Sequence, residues 1–303
     1  MSSPPPEELG RLYRLVPWAE DPYSEDGRQR YEEALRNMRI LVKHEWIQEL
    51  LSSRRELRLL ELCGGTGIGG VALARVLADE GVKASLTVID LRREALEIAA
   101  KWGGEELGEE VRVVEADACR VHELGVRANL ALMYGYSAPH FDPWRMAMLL
   151  SSTTEVLVDD GILVLEESDR RYTIFYLQGY KAVITWPPRR EGIVAEFDAG
   201  YDFKRGTFKR VLMNLPQGEF VVGDFYYWGL AELMTLAWLF LKDVDFTPLR
   251  RRYAGFILAR KPRRKLRFQD LAGEPRVLEK APKPLEASRM AGEVEGLRAG
   301  ASW

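Results

Sequence analysis

The fold is decided by the stretch LLELCGGTGIGG, which runs from Leu59 to Gly70. An apolar run meets a glycine cluster here, and a helix-like pattern follows it. Glycine tolerates positive φ angles and has no Cβ atom, so such a loop lets a ligand lie directly against the backbone at the end of a buried strand. The stretch therefore predicts a strand, a tight loop and a helix, at the edge where open α/β sheets bind nucleotides.

Two further short apolar strands follow, and each of them closes on a carboxylate. The first runs from Ala84 to Asp90, and the second runs from Val111 to Asp117. A carboxylate has only acceptor sites, so at a strand end it can take both hydroxyls of a ribose or the exocyclic amine of an adenine. Together with the glycine loop, these ends predict a site for a nucleotide.

In this order the residues resemble the class I S-adenosylmethionine-dependent methyltransferases, in particular those that act on small molecules. The resemblance covers roughly residues 26 to 262 and is strongest from Leu59 to Asp117. It implies an α/β fold with a seven-stranded, mostly parallel Rossmann-like sheet, a reversed last strand and helices on both faces. It also implies S-adenosylmethionine as the cofactor.

The resemblance further implies a role for each matching residue. Glu61 opens the glycine loop and helps to orient the methionine amino end of the cofactor. Gly65 and Gly67 make room for the adenosyl group. Asp90 holds the ribose hydroxyls, and Asp117 binds the adenine amine.

Further positions complete the cofactor site that the resemblance implies. Leu91 follows the ribose carboxylate, the backbone nitrogen of Ala118 lies near the adenine ring, and Tyr134 ends the fourth strand. Cys63 stands where the family usually has glycine, and Gly64 stands where cysteine or another small residue is common. The pair looks exchanged, and two glycines are still kept for the approach of the ligand.

A dinucleotide is the rival cofactor, because residues 65–70 also satisfy the pattern G-x-G-x-x-G. Asp90 lies at about the 20-residue offset expected of a carboxylate that binds a dinucleotide ribose. Glu61 before the glycines, Asp117 after the third strand and the reversed closing strand favour the sulfonium cofactor. A nearby carboxylate also disfavours a pyrophosphate at the helix N-terminus. An NAD(P)-dependent oxidoreductase is therefore the less favoured alternative.

Length and composition predict a cytoplasmic protein with a sizeable core. The chain has 303 residues, of which 47% are hydrophobic and 29% are charged, enough for one or two domains. No apolar run approaches the roughly 18 residues of a membrane span, and the N-terminal residues lack the parts of a signal peptide.

Two cysteines and three histidines show no metal-site spacing. Scarce asparagine and glutamine beside abundant arginine and glutamate are typical of growth at high temperature.

The charge of the chain does not favour nucleic acid as a partner. A formal net charge of −3 argues against a protein that works mainly by coating nucleic acid. Basic runs at residues 250–252 and 261–267 are more often solvated surfaces than binding patches. A methyltransferase acting on RNA or protein, with the basic tail as its docking element, stays open as an alternative, and so does a cofactor-binding protein without turnover.

The remaining pattern divides the chain into four parts. Residues 1–25 form an N-terminal extension, and residues 26–262 form the methyltransferase domain. Residues 167–228 interrupt that domain as an insertion, and residues 263–303 form a tail of little periodicity.

Within the domain, apolar spacing predicts one long helix over residues 26–52. A later helix is expected to start near Asp142 and to end before Gly161, where glycine suits a left-handed cap. Two closing strands, over residues 244–246 and 253–259, should pair antiparallel because their connection is short.

The insertion predicts an antiparallel sheet, since apolar and polar residues alternate over residues 192–197, 207–213 and 219–225. It is rich in aromatic residues: Tyr172, Phe175, Tyr176, Tyr180, Trp186, Phe197, Tyr201, Phe203, Phe208, Phe225, Tyr226, Tyr227 and Trp228. We interpret it as a lid that walls the pocket of a small-molecule acceptor. A subdomain core and a homodimer interface are the alternatives.

Methyl transfer is an in-line displacement at a carbon activated by a positive sulfur, so the protein must chiefly align and desolvate the reactants. An oxygen or nitrogen acceptor can also need a base that takes its proton. The sequence leaves open whether the nucleophile is O, N or C. In the resembling enzymes the loop after the fourth strand faces the methyl group. His140 in that loop is the first candidate base, Tyr134 is a second catalytic candidate, and Glu166 and Glu167 are weaker ones.

Overall fold

The computed structural model describes residues 6–15, 18–185 and 193–279. The chain divides into two compact units, Met1–Ala272 and Gly273–Trp303. In the second unit a short helix spans Arg276–Glu279. All further statements concern the first unit.

Seven of the described strands form a central sheet: β1 (Glu56–Leu62), β2 (Lys83–Asp90), β3 (Arg112–Glu115), β4 (Ala128–Met133), β5 (Leu157–Ser168), and, later in the chain, β10 (Leu241–Pro248) and β11 (Ala254–Pro262). Their order across the sheet is β10-β11-β5-β4-β1-β2-β3. Strand β11 runs antiparallel to both of its neighbours, whereas β1 to β5 pair parallel. The predicted seven-stranded sheet with a reversed last strand is confirmed.

The first helix, α1 (Pro6–Leu15), lies away from this sheet. Helices cover both faces of the central sheet: α2 (Glu25–Leu41), α3 (Glu45–Ser52), α4 (Ile68–Asp79), α5 (Arg93–Leu107), α6 (Pro143–Val156), α7 (Leu230–Phe240) and α8 (Phe268–Leu271). Every residue of the central strand β4 is buried, as expected of a parallel strand covered on both sides. Leu130 and Leu132 pack with α2, α3 and α4, whereas Ala131 and Met133 pack with α6 and α7. The carboxyl ends of the parallel strands therefore emerge between two helical layers.

Two helix predictions are wrong in detail. The single helix expected over residues 26–52 is broken after α2, because His44 is extended and its side chain caps α3 by accepting a hydrogen bond from Trp46 N. Helix α6 ends at Val156, so Gly161 is not its left-handed cap. Gly161 instead lies in β5 beside an irregularity of the β4–β5 register, where a Cβ atom would come within 2.9 Å of Val158 O.

The predicted antiparallel sheet of the insertion is confirmed, and it has four strands: β6 (Val183–Thr185), which was not predicted, β7 (Val194–Asp202), β8 (Thr207–Asn214) and β9 (Glu219–Phe225). All of its pairings are antiparallel. A π-helical segment over Tyr172–Leu177 precedes it and was not expected. Trp186 lies outside the described residues.

The N-terminal helix α1 packs on this second sheet. Leu12 and Leu15 bury their side chains against Leu212 of β8 and Val221 of β9. At the other end of the first unit, Phe268 of α8 is buried in the core, so the compact unit continues past the predicted domain end at residue 262.

Candidate cofactor and acceptor site

The loop from β1 to α4 has the conformation that its glycines predict. Gly65 has a φ of 53° and Gly67 has a φ of 79°, in the region that L side chains rarely adopt. Cys63 also has a positive φ, of 54°, and is the residue that departs from the family pattern. The loop is tied to the next strand by a hydrogen bond of 2.9 Å from Gly64 N to Ile89 O.

Glu61 lies beneath this loop, against the first turn of α4. A Cβ atom on Gly69 or Gly70 would stand 2.6 or 2.5 Å from a Glu61 carboxylate oxygen, so a side chain at either position would displace the Glu61 carboxylate. Burial raises the pKa of Glu61 to about 8, although the backbone N–H of Gly70 and the Arg30 guanidinium favour the ionised form. Glu61 Oε2 accepts no hydrogen bond from the described residues.

Asp90 joins the end of β2 to the glycine loop. Its Oδ2 accepts a hydrogen bond of 2.8 Å from Gly65 N, and its Oδ1 accepts one of 2.8 Å from Arg92 N. The Arg92 Nε–H also donates to Oδ1, at 3.3 Å. Asp90 is 6% exposed, and the hydrogen bond from Gly65 N holds its carboxylate against the glycine loop.

Arg92 is a residue of this edge that the sequence interpretation missed. Its Nη1 lies 2.9 Å from both carboxylate oxygens of Glu20, and its guanidinium lies 3.9 Å from the centre of the Tyr13 ring. Its position two residues after Asp90 was a signal that could have drawn attention to it. Its partners precede it by more than seventy residues, and no local pattern predicts them.

A first cavity is lined by five of the predicted cofactor residues, namely Cys63, Asp90, Leu91, Asp117 and Ala118. Leu9 and Tyr13 of α1 line it as well, together with His140. Asp117 caps the segment after β3 by accepting a hydrogen bond from Cys119 N, and Arg145 Nη2 lies 3.7 Å from its carboxylate. The ends of β2 and β3 thus face one space.

A second cavity is lined by Glu61, Gly65 and Tyr134, and Cys63 borders both cavities. Arg30 of α2, which sequence analysis did not select, also lines it. A Cβ atom on Gly135 would stand 2.5 Å from Arg30 Nη2. The two cavities together contact every predicted cofactor residue except Gly67, whose left-handed conformation starts α4.

His140 lies between the first cavity and a third cavity of about 300 Å³ that the insertion walls. Thr207, Val221 and Phe225 of the insertion line this third cavity with Leu9 of α1. Tyr13 Oη lies 3.3 Å from His140 Nε2. Burial, with nearby arginines, lowers the pKa of His140 to about 4, so its ring is neutral at pH 7.

The other catalytic candidates lie at the ends of β4 and β5. Tyr134 is buried, its hydroxyl accepts a hydrogen bond of 3.2 Å from Asn37 Nδ2, and burial raises its pKa. Glu166 Oε2 accepts a hydrogen bond of 2.8 Å from Gly135 N, and burial raises the Glu166 pKa to about 7. Glu167 is fully buried and pairs with Arg170 at 3.0 Å.

No model of a protein family matches the chain, and no curated protein matches it. Among solved structures, the PH0226 protein of Pyrococcus horikoshii OT3 is similar, with a TM-score of 0.57 and 19% identity over 83% of this chain and 98% of that one. An S-adenosylmethionine-dependent methyltransferase from Clostridium acetobutylicum ATCC 824 has a TM-score of 0.51 and 13% identity over 72% of this chain and 89% of that one. At these identities the likeness shows the fold alone, and this fold is that of the class I methyltransferases.

Within the described residues, no helix is both long and apolar enough to span a membrane. The same residues hold no cluster of three or more side chains able to bind a metal ion.

Proposed function

We propose that this chain is an S-adenosylmethionine-dependent methyltransferase that acts on an O, N or C nucleophile of a small-molecule acceptor. The observation that carries the proposal is the first cavity, where Asp90 and Asp117 from two neighbouring strand ends face one space beside the glycine loop. In a class I methyltransferase fold, this edge of the sheet is where a nucleotide-containing cofactor is expected. The reversed strand β11 disfavours a nicotinamide-binding domain.

The residues present fit this cofactor. Asp90 would hold the ribose hydroxyls and Asp117 the adenine amine, because carboxylates offer acceptors to both. Glu61 has a buried oxygen without a hydrogen-bond donor, which an ammonium group would supply. Arg30 lines the same cavity and would hold a carboxylate.

The third cavity is our candidate for the acceptor. Its volume of about 300 Å³ is at the lower end of small-molecule sites, and the insertion supplies one of its walls. This supports the interpretation of the insertion as a lid on the acceptor side. It also favours a small molecule over RNA or protein as the acceptor.

When bound, the cofactor supplies a methyl group activated by positive sulfur. The chain must exclude water and align the acceptor, and apolar residues of the insertion and of α1 serve the first task. His140, neutral at pH 7, can accept at Nε2 a proton that an oxygen or nitrogen acceptor loses as its bond to carbon forms. A pKa of about 4 makes it a weak base, which suits a proton lost late in the displacement.

Calorimetric titration with S-adenosylmethionine, S-adenosylhomocysteine and NADH tests the cofactor. We expect the two sulfur compounds to bind and to raise the melting temperature, and NADH to do neither. Tight NADH binding without a response to the sulfur compounds would instead support the oxidoreductase alternative.

The acceptor class is tested with methyl-labelled cofactor and a cell extract divided by ultrafiltration. Label should enter the small-molecule filtrate. Label in the retained RNA or protein, with a steep salt dependence, would support the macromolecular alternative. Cofactor binding without any transfer would indicate a binding protein without turnover.

Location in the cytoplasm, growth at high temperature and pairing of two copies through the insertion stay predictions. Tyr176 and Phe203 of the insertion are 77% and 78% exposed, which supports a pairing surface. Sedimentation of the wild type and of a Tyr176→Ser, Phe203→Ser variant would test the pairing.

A further inference from the structure

We propose that Arg92 competes with the cofactor ribose for Asp90, so that cofactor binding must first displace the Arg92 guanidinium. The inference rests on the proposed function, because it takes Asp90 as the ribose ligand. It adds a latch, formed by Arg92, Glu20 and Tyr13, that holds the cofactor site closed in the free protein.

The first argument is the capacity of the Asp90 carboxylate. Two carboxylate oxygens offer about four lone-pair sites. Three donors already use them: Gly65 N on Oδ2, and Arg92 N and Arg92 Nε on Oδ1. Two ribose hydroxyls need two acceptor sites, so one present donor must leave. The two backbone donors belong to the loop and the strand end, whereas the Arg92 side chain can leave by rotation about its own bonds.

The second argument is the space that the guanidinium takes. A Cβ atom on Gly65 would stand 2.7 Å from Arg92 Nη2, so the guanidinium lies against the open face of the glycine loop. The first cavity, between Asp90 and Asp117, has a volume of only about 40 Å³. Small-molecule sites are commonly about 300 to 1,000 Å³, so this space is too small for an adenosyl group, and displacement of Arg92, which lines it, enlarges it.

The third argument is that the guanidinium has partners that hold it there. Its Nη1 lies 2.9 Å from both oxygens of Glu20, and Glu20 O accepts a hydrogen bond of 2.6 Å from Thr66 of the glycine loop. The Tyr13 ring stacks on its face at 3.9 Å. The arginine side chain is 9% exposed, so these are largely desolvated interactions rather than solvent-screened surface ones.

The latch also reaches the acceptor side. Tyr13, which stacks on the guanidinium, is the residue whose hydroxyl contacts His140. The helix that carries Tyr13 is held on the insertion through Leu12 and through a hydrogen bond from Arg11 Nη2 to Phe220 O. Displacement of Arg92 therefore removes one support of the wall shared by the cofactor cavity and the acceptor cavity.

The test is the binding of S-adenosylhomocysteine to the full-length chain. Calorimetry measures its affinity, and stopped-flow fluorescence measures its association rate. Arg92→Ala removes the competitor, and Glu20→Gln weakens its hold without touching Asp90. The matched control is Arg93→Ala, because Arg93 is the neighbouring arginine, is 77% exposed and pairs only with Glu97 among the described residues. Melting curves verify that each variant is folded.

We expect Arg92→Ala to bind about tenfold tighter, mainly through a faster association rate, and Glu20→Gln to gain severalfold, since hydrogen bonds to a charged group must break in the wild type. Arg93→Ala should match the wild type. In the wild type, the Nε–H signal of Arg92 in a nitrogen–proton NMR spectrum, assigned by its loss in Arg92→Ala, should exchange faster once the ligand is added.

Weaker binding by Arg92→Ala would overturn the latch and make Arg92 a residue that contacts the ligand. Unchanged binding, or an Nε–H signal that the ligand does not affect, would also overturn it. These results differ from a failure of the proposed function, in which neither the wild type nor any variant binds S-adenosylhomocysteine or S-adenosylmethionine.

Discussion

Tyr13 Oη lies 3.3 Å from His140 Nε2, although 127 residues separate the two in the sequence. Tyr13 belongs to the N-terminal helix, outside the region that resembles the methyltransferase family, and His140 belongs to the loop after β4. Helix α1 brings the two together because its apolar residues pack on the insertion sheet. The candidate base therefore depends on two segments that a compact version of the fold lacks.

We expect His140→Gln and Tyr13→Phe to leave S-adenosylhomocysteine affinity within severalfold of the wild type and to slow methyl transfer. For a general base the loss is about 10²- to 10⁴-fold, and it should be larger for His140→Gln. Single-turnover transfer to the acceptor found in the filtrate measures it. Full activity of His140→Gln would show that His140 is not the base in methyl transfer.

The pH dependence of transfer tests the same histidine in the wild type. Since the His140 pKa is lowered to about 4, the ring stays neutral down to that value and protonates below it. The contribution of His140 to the transfer rate should be constant from pH 8 to about pH 5 and fall below. A loss of rate centred near pH 6.5 that disappears in His140→Gln would show that the histidine titrates normally.

Asp90→Ala should weaken S-adenosylhomocysteine binding by about one to two decades, because hydrogen bonds to a charged group contribute about 1.5 to 3 kcal/mol. Calorimetry measures the change, and Glu115→Ala, at the exposed end of β3, is the control. Asp90 also accepts the Gly65 N–H bond, so the melting temperature of the variant must be measured as well. An unchanged dissociation constant in a folded variant would make Asp90 a structural loop residue.

Glu61→Gln should flatten the dependence of stability on pH. Burial raises the pKa of Glu61 to about 8 in the folded protein from an ordinary value of 4.5, so the folded protein binds this proton more tightly than the unfolded chain does. The contribution of Glu61 to the free energy of unfolding is thus greatest below about pH 4.5 and falls as pH rises through about 8, by on the order of 5 kcal/mol in all. The raised pKa of Glu166 makes stability fall with pH in the same way, so Glu61→Gln should flatten the pH dependence of stability only in part.

Urea unfolding at several pH values between 5 and 8 measures this effect, with Glu115→Gln as the exposed control. A Glu61→Gln curve parallel to that of the wild type would contradict the protonation of buried Glu61.

Trp228 anchors the end of the insertion to the loop that carries His140. It is 1% exposed, and its Nε1–H donates 3.0 Å hydrogen bonds to Ala138 O and Phe141 O. Trp228→Ala should lower the free energy of unfolding by about 3 to 5 kcal/mol, since it leaves a cavity and frees two carbonyls. Trp238→Ala, at a site 52% exposed, should cost far less in the same urea titration. Equal losses would contradict the anchoring role.

The sequence alone determined the order of elements that defines the fold and selected most residues of the proposed cofactor site. A glycine loop after an apolar run, and carboxylates ending the next two strands, are local patterns. In a parallel sheet, strand ends converge at one edge whatever the details of packing. Glu61, Asp90 and Asp117 could therefore be selected without coordinates, and so could the antiparallel insertion from its alternation of residues.

The tertiary structure alone decided which side chains meet there from distant parts of the chain. Arg30, Glu20 and Tyr13 lie on helices and loops whose own sequences show ordinary amphipathic or polar patterns. Their approach to Arg92, Gly135 and His140 depends on how α1 and α2 pack, which involves contacts over many residues of separation. Local propensity carries no information on such contacts, because burial energy depends on the area removed from water and not on sequence distance. The same packing enclosed Glu61 and His140 and so shifted their pKa values, which residue type alone does not determine.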